Sequence, residues 1–268
     1  MSSSVERSDA LSLLQSSGQN ALELEAVSRH FGALVALADI NLSVRASERH
    51  AILGSNGAGK TTLFNAITGD FPPTTGRVRL FGEDVTELPA YERVRRGLRR
   101  TYQISLLFEN LSVIDNAYLA CRGVSRNRFS LRRARRDDAL MQSAEMLIGA
   151  VHLDNERNAL VGELSYGQQR QLEIGLALAG APRLVLFDEP AAGLSPSERT
   201  DLVEILQAMP AHMAFIIIEH DMDVALRVAQ RVTMMHNGRV FKEGTPEEIE
   251  NDPQVQELYL GEQHGQGH

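Results

Sequence analysis

The chain has 268 residues, 43% of them hydrophobic, and a formal net charge of -8 at pH 7. This length suits one large domain, and the acidic balance argues against nucleic acid as the main partner. The single cysteine, Cys121, excludes an internal disulfide and fits a reducing compartment. No stretch approaches the roughly 18 apolar residues that a membrane span needs.

The chain divides into one long domain and two short ends. Residues 1–20 are serine-rich and lack the basic start and apolar core of a signal peptide, so we expect a disordered extension. Strand and helix signals then alternate over residues 21–262 without an internal repeat, which predicts a single α/β domain. Within it we expect a helical lobe at about 103–180, and beyond it a flexible tail at 263–268.

A glycine-rich loop follows the predicted buried strand 49–53. Its sequence, GSNGAGKTT, matches G-x-x-x-x-G-K-[S/T], and residues 62–68 read as the start of an amphipathic helix. Such loops turn successive N–H groups toward phosphate oxygens, and the helix N-terminus adds partial positive charge. We therefore predict nucleotide binding by Gly54, Ser55, Asn56, Gly57, Ala58, Gly59, Lys60, Thr61 and Thr62.

Three side chains of this loop have separate predicted roles. Lys60 would reach the β- and γ-phosphates, Thr61 would ligate Mg²⁺, and Thr62 would bond another phosphate oxygen. The chain holds only two lysines, Lys60 and Lys242, and uses arginine at its other strongly basic positions. A lysine here supports the interpretation, because a guanidinium fork would not fit such a loop.

Two later apolar runs end in side chains that could perform chemistry. The run 184–187 leads to Asp188 and Glu189, and the run 215–218 leads to His220. In open α/β sheets, ligands bind beyond the carboxyl ends of the strands. Asp188 would hold Mg²⁺, Glu189 would polarise the water that attacks the γ-phosphate, and His220 would sense that phosphate. A solvated acidic turn and a structural histidine are the plainer alternatives.

The segment LSYGQQ at 164–169 lies between the glycine-rich loop and the acidic strand end. With those motifs it resembles the signature of the ATP-binding cassette (ABC) ATPases, usually LSGGQ, with Tyr166 replacing the first central glycine. This resemblance implies an α/β P-loop NTPase fold with a mostly parallel core sheet, an antiparallel β lobe and a helical lobe. It also implies that Ser165, Gly167 and Gln168 close on a nucleotide held by a second cassette.

The resemblance assigns roles to further residues. Phe31 falls where the family has an aromatic side chain that stacks on adenine, and Gln103 resembles the glutamine that touches Mg²⁺ and the attacking water. Residues 192–196 correspond to the D-loop, where Ser195 replaces a common aspartate, and His220 corresponds to the switch histidine. Alternatively, Phe31 is a core residue and Gln103 a surface polar residue.

Three stretches narrow the resemblance to one branch. Residues 99–116, 164–173 and 243–262 are similar to the larger ATPase subunit of branched-chain amino acid importers. ATPases of urea importers and lipopolysaccharide exporters are near relatives and remain alternatives. The resemblance implies ATP and Mg²⁺ as ligands, a second ABC ATPase subunit, two membrane permease subunits and, indirectly, a periplasmic solute-binding protein. It places the chain peripherally at the cytoplasmic face of the inner membrane.

Two surface features have competing interpretations. Apolar residues within 106–114 suit docking of membrane subunits, but half of them could fill the lobe's own core. Arginines clustered at 93–100 and 122–136 are typical of a solvated helix face, with attraction to lipid headgroups as the alternative. A regulatory module without turnover is disfavoured, because Glu189 and His220 are both present.

Overall fold

The computed structural model describes residues 19–101, 107–125 and 139–263. The first strand begins at Asn20 and the last helix reaches Gln263, so each overlaps a predicted terminal segment by one residue. Residues 1–18 and 264–268 of those two segments lie outside the described residues. Within the described ranges, none of the helices combines the length and apolarity that a membrane crossing requires.

A small antiparallel sheet comes first along the chain. Its strands are β1 (Asn20–Phe31), β2 (Leu34–Arg45), β4 (Thr75–Leu80) and β5 (Glu83–Asp84). Their spatial order is β2-β1-β4-β5. In β4, Val78 and Leu80 are buried while Arg77 and Arg79 keep contact with solvent. This alternation is typical of an antiparallel sheet with one face on the core, and it confirms the predicted β lobe.

The larger sheet has six strands. They are β3 (Arg49–Gly54), β6 (Leu98–Arg100), β7 (Leu184–Asp188), β8 (Ala214–Glu219), β9 (Arg231–His236) and β10 (Arg239–Gly244). Their order is β10-β9-β3-β8-β7-β6, with β10 antiparallel and the other pairs parallel. Every residue of β7 and β8 is buried, as their continuous apolar runs predict. The carboxyl ends of β3, β7 and β8 therefore meet at one edge.

Helices cover this sheet and form a separate lobe. They are α1 (Lys60–Thr68), α2 (Ala90–Arg95), α3 (Val113–Val124), α4 (Ala139–Ala150), α5 (Tyr166–Ala177), α6 (Pro196–Ala208), α7 (Met222–Val228), α8 (Pro246–Glu250) and α9 (Pro253–Gln263). Helices α3, α4 and α5 contact one another, which confirms the predicted helical lobe. Ser112 begins α3 by accepting a hydrogen bond from the N–H of Asp115, an N-cap that satisfies one terminal donor.

The apolar stretch before and at the start of α3 divides between core and surface. Val113 and Ile114 are buried, whereas Phe108 is 59% exposed. Leu107 packs partly against the core. The core interpretation is therefore confirmed for Val113 and Ile114, while docking through the exposed Phe108 stays a prediction.

The solvated-face interpretation of the first arginine cluster is wrong for two of its members. Arg93 is 1% exposed, and its guanidinium donates to the carbonyl oxygens of Ala66 and Ile67 near the end of α1. A buried cation is favourable there because the last carbonyls of a helix lack partners within it. Arg100, whose side chain is 7% exposed, is bound to acidic side chains. Neither residue can contact a lipid headgroup.

Candidate active site

The glycine-rich loop connects the end of β3 to the start of α1, as its pattern predicts. Gly59, the N-cap of α1, has a φ of +99°. A Cβ at this position would lie 2.8 Å from the carbonyl oxygen of Ala36, so both conformation and space require glycine. Because Gly59 provides no side-chain cap, the N–H groups of the first turn can bind an anion instead.

Lys60 lies folded back into the loop. Its Nζ donates to the carbonyl oxygens of Gly54 at 2.5 Å and Ser55 at 2.9 Å, and the residue is 6% exposed. An ammonium held this deeply gives the loop a localised positive charge. Such a charge suits an anionic ligand such as a polyphosphate.

A cavity of about 410 Å³ opens over this loop. Its wall is formed by Leu34, Val35, Ala36, Ser55, Asn56, Gly57, Gly59, Lys60, Thr61, Thr62, Glu189, Asn237 and Gly238. Gly54 and Ala58 are buried in the same loop. The structure thus brings the predicted phosphate loop together with one of the two predicted strand-end carboxylates.

Five wall residues escaped sequence analysis: Leu34, Val35, Ala36, Asn237 and Gly238. The last two form the turn between β9 and β10, and Asn-Gly is a known hairpin signal. That signal predicts the turn but not the contact of the turn with the phosphate loop. Here the N–H of Gly238 donates to the carbonyl of Ala58 at 3.0 Å, so the hairpin braces the phosphate loop.

Asp188 ends β7 and is 1% exposed. Its Oδ2 accepts a hydrogen bond from Arg100 at 2.6 Å, and its N–H donates to the Thr101 hydroxyl at 3.2 Å. Its Oδ1 is buried and has no hydrogen-bond partner among the described residues. A buried carboxylate oxygen in this state fits a ligand for a hard divalent cation such as Mg²⁺.

Glu189 and His220 lie side by side at neighbouring strand ends. His220 Nδ1 is 3.9 Å from Glu189 Oε2, and the two side chains are 54% and 20% exposed. Glu189 has a φ of +47°, and its N–H donates to the carbonyl of Ile218 at 3.0 Å. Glu189 lines the cavity over the phosphate loop, whereas His220 lies beside Glu189 and outside the wall of that cavity.

The adenine-stacking prediction concerns a residue outside the cavity wall. Phe31 is 44% exposed at the end of β1, so the core alternative is wrong for it. Its ring meets Phe71 edge-on at 5.7 Å between centroids, and the guanidinium carbon of Arg29 lies 4.7 Å from its centroid. Gln103 lies outside the described residues.

The signature residues begin α5. Ser165 is the N-cap: its Oγ accepts from the N–H of Gln168 at 3.2 Å, and the Gln168 side chain accepts from the N–H of Ser165 at 3.0 Å. A Cβ at Gly167 would collide with the carboxylate of Glu198. Position 166, by contrast, accommodates the tyrosine side chain that replaces the first central glycine of the signature. None of these residues belongs to the wall of the phosphate-loop cavity that the described residues form.

Tyr166 connects the signature to the predicted D-loop. Its hydroxyl donates to the carbonyl of Ala192 at 3.2 Å, and a Cβ on Gly193 would lie 3.1 Å from its ring. Ser195 is the N-cap of α6, with Glu198 completing the capping box. The two helix starts therefore pack against each other within the chain.

Comparison with known proteins places these features in a family. The family model of ABC transporters matches residues 37–192, and the model of branched-chain amino acid ATP-binding cassette transporters matches residues 243–265. The chain is 35% identical over 251 residues to the high-affinity branched-chain amino acid transport ATP-binding protein BraF of Pseudomonas aeruginosa, with 90% of this chain and 98% of BraF covered. It is 35% identical over 254 residues to LivG of Escherichia coli, with 91% and 99% covered.

Solved structures give the same result for the fold. The ADP conformation of MJ1267, an ATP-binding cassette of an ABC transporter, matches with a TM-score of 0.80 and 30% identity over 90% of this chain and 99% of that one. A nucleotide-free ATP-binding cassette from an ABC transporter matches with a TM-score of 0.78 and 31% identity, covering 90% and 98%. The chain therefore belongs to the ABC transporter family, as one of its ATP-binding, ATP-hydrolysing subunits.

Proposed function

We propose that this ATPase subunit powers an importer of branched-chain or closely related amino acids. The match over residues 243–265 and the names of both relatives support this substrate class. They favour it over the urea-importer and lipopolysaccharide-exporter alternatives. The solute itself would be selected by the permease and the periplasmic binding protein rather than by any residue of this chain.

One observation carries the proposed catalytic roles: a single cavity is lined by both Lys60 and Glu189. The loop N–H groups and Lys60 would hold the phosphates of ATP. Glu189 would accept a proton from the water whose oxygen attacks the γ-phosphorus, and the bond to the ADP oxygen would break. His220, next to Glu189, would hold an oxygen of the γ-phosphate and keep the reacting groups aligned.

Mg²⁺ would be held by Thr61 and Asp188, with Gln103 as the further predicted ligand. The buried, unpartnered Oδ1 of Asp188 supports this assignment. When bound, Mg²⁺ would neutralise charge on the β- and γ-phosphates. Arg100 leaves only one oxygen of Asp188 for that purpose, because it holds the other.

A second cassette would complete the site. Ser165, Gly167 and Gln168 lie away from the phosphate-loop cavity of their own chain, yet Ser165 is an exposed helix N-cap suited to an anion. We infer that they contact the γ-phosphate of ATP bound to a partner ATPase subunit. The partner would be a sister chain or a second copy.

A groove beside the helical lobe would receive the permease. This cavity, of about 330 Å³, lies between β6 and helices α2, α3 and α5, and its wall includes Val94, Leu107, Ala120, Val124 and Leu176. Thr101 and Leu107 of that wall flank the segment that contains Gln103. An apolar helix end of one permease subunit would dock there and hold the chain at the cytoplasmic face of the membrane.

The test is ATP hydrolysis by the complex reconstituted in liposomes with its permease and binding protein. Wild type and Glu189→Gln are compared with leucine-loaded, urea-loaded and empty binding protein. We expect leucine to stimulate hydrolysis in the wild type alone. Stimulation by urea instead would contradict the substrate class, and undiminished hydrolysis by Glu189→Gln would contradict the role of Glu189.

A further inference from the structure

The turn after β7 holds Glu189 in an unfavourable backbone conformation. Its φ of +47° lies in the left-handed region, which residues other than glycine adopt at a cost. The surrounding structure must hold such a turn in place. Two hydrogen bonds to β8 do so: the N–H of Glu189 donates to the carbonyl of Ile218 at 3.0 Å, and the N–H of Ala191 donates to Glu219 Oε1 at 2.8 Å.

A glutamate at position 219 has an energetic cost, because its carboxyl is buried. The residue is 0% exposed, and its Oε2 has no hydrogen-bond partner among the described residues. Burial raises the pKa of its carboxyl to about 7, and the charges of Glu189 and Asp221 act in the same direction, against the N–H groups of Ala191 and Asp221. An apolar side chain of similar volume would avoid this desolvation, so stability alone does not explain the residue.

We propose that Glu219 is a positioning residue for ATP hydrolysis, whose carboxyl fixes the turn that presents Glu189 to the attacking water. The inference rests on the proposed role of Glu189 as the base. Asp188 pairs in register with Ile218, so Glu189 and Glu219 each directly follow a paired position of neighbouring strands. His220 follows Glu219 directly, and one side chain therefore ties the turn of Glu189 to the strand end that carries His220.

The position of the Glu189 carboxylate matters because this group must contact a water molecule that lies in line with the γ-phosphate. A misplacement of about 1 Å can lower a rate on the order of 100-fold. Substrate binding depends instead on the phosphate loop. Glu219 pairs through its backbone with Leu53, which precedes that loop, but its carboxyl accepts from the N–H of Ala191. Loss of the bond to Ala191 should therefore lower kcat and leave the KM for ATP nearly unchanged.

Two variants of the assembled transporter separate positioning from a purely structural role. Glu219→Met keeps the volume but removes the acceptor, and we expect kcat to fall about 10- to 100-fold with the KM for ATP changed less than about twofold. Glu219→Gln keeps an acceptor oxygen and should retain kcat within about threefold of wild type. The apparent Tm of Glu219→Met should stay near that of wild type, because the lost hydrogen bond and the relieved burial of the carboxyl oppose each other. The apparent Tm of Glu219→Gln should not fall, because this variant relieves the burial of the carboxyl and keeps the acceptor.

A double-mutant cycle supplies the second readout. In a Glu189→Gln background, Glu219→Met should cause no further loss of the residual rate, since Glu219 acts through Glu189. A wild-type kcat for Glu219→Met, a parallel fall of Tm and kcat, or an additive loss in the double variant would each overturn the inference. If Glu189→Gln alone hydrolyses ATP normally, the proposed function fails first; if it is inactive while Glu219→Met is normal, only this inference fails.

Discussion

The phosphate-loop edge of the large sheet and the start of α5 both carry predicted ATP contacts, yet they are built differently. At the sheet edge, Lys60, Asp188 and Glu219 are nearly inaccessible to solvent, and each side chain makes a hydrogen bond to another part of the chain. At α5, Ser165 is exposed and is held by its own capping box. The first region has the buried, hydrogen-bonded groups of a binding site. The second is an exposed helix start that another molecule can contact. We therefore expect a chain built in this way to bind ATP alone and to need a partner to hydrolyse it efficiently.

The largest expected effect is that of Glu189→Gln, which separates ATP binding from ATP hydrolysis at the phosphate-loop edge. Glu189→Gln keeps the shape of the side chain but removes its ability to accept a proton. We expect kcat of the assembled complex to fall about 100- to 10,000-fold while ATP affinity is retained. Steady-state hydrolysis and equilibrium nucleotide binding measure the two quantities. A loss of binding in proportion to hydrolysis would mean that Glu189 is part of the binding surface instead.

Replacing Arg100 tests whether a buried ion pair stabilises the sheet edge. Its guanidinium contacts Asp188 at 2.6 Å and Asp70 at 3.0 Å, with Arg100 and Asp188 7% and 1% exposed. Arg100→Met leaves Asp188 buried without its cation, so we expect a loss of about 3–5 kcal/mol in the free energy of unfolding. Urea denaturation of the isolated chain measures this loss.

The exposed pair Arg157–Glu145 provides the matched control. Its N···O distance is 2.7 Å, but the two side chains are 44% and 47% exposed. Arg157→Met should cost less than about 1 kcal/mol, because solvent screens the pair. Equal losses for the two arginine variants would show that burial does not distinguish the sheet edge from the surface.

Glu219 gives the stability of the sheet edge a pH dependence. Its carboxyl has a pKa of about 7 in the folded chain, raised from 4.5 mainly by burial. Below pH 4.5 the carboxyl is neutral in both states. Between pH 4.5 and 7 the unfolded chain releases the proton first, so folding stability falls as pH rises, and above pH 7 the full cost remains.

The expected size of this effect is at most about 3 kcal/mol. Glu219→Gln removes the titration, so the free energy of unfolding should decline less between pH 5 and pH 7 than in the wild type. Urea denaturation at closely spaced pH values compares the two slopes. Identical slopes would mean that the carboxyl is ionised in the folded chain throughout that range, despite its burial and the charges of Glu189 and Asp221.

Sequence reasoning succeeded where the determinants are local. The phosphate loop is read from nine consecutive residues, and the buried strands before Asp188 and His220 are marked by continuous apolar runs. It failed where a role depends on distant neighbours. Arg93 belongs to a basic cluster in the sequence but lies under the end of α1, and Gly238 meets the phosphate loop only after the β9–β10 hairpin folds. No local pattern encodes such contacts.

The smallest expected effect concerns the start of α5, where helix capping and catalysis can be separated. Ser165 caps α5 and Thr245 caps α8, and each side-chain oxygen accepts from a backbone N–H at 3.2 Å within a capping box. Both residues are exposed. Ser165→Ala and Thr245→Ala should therefore each cost about 1 kcal/mol of stability.

Only Ser165→Ala should also lower hydrolysis by the assembled complex, about tenfold, because its hydroxyl would bond the γ-phosphate bound to the partner. Neither variant should weaken ATP binding by the isolated chain, since neither residue lines the phosphate-loop cavity. If both variants lowered hydrolysis equally, the loss would follow from weaker helix capping, and α5 would not be the surface that completes the partner's site.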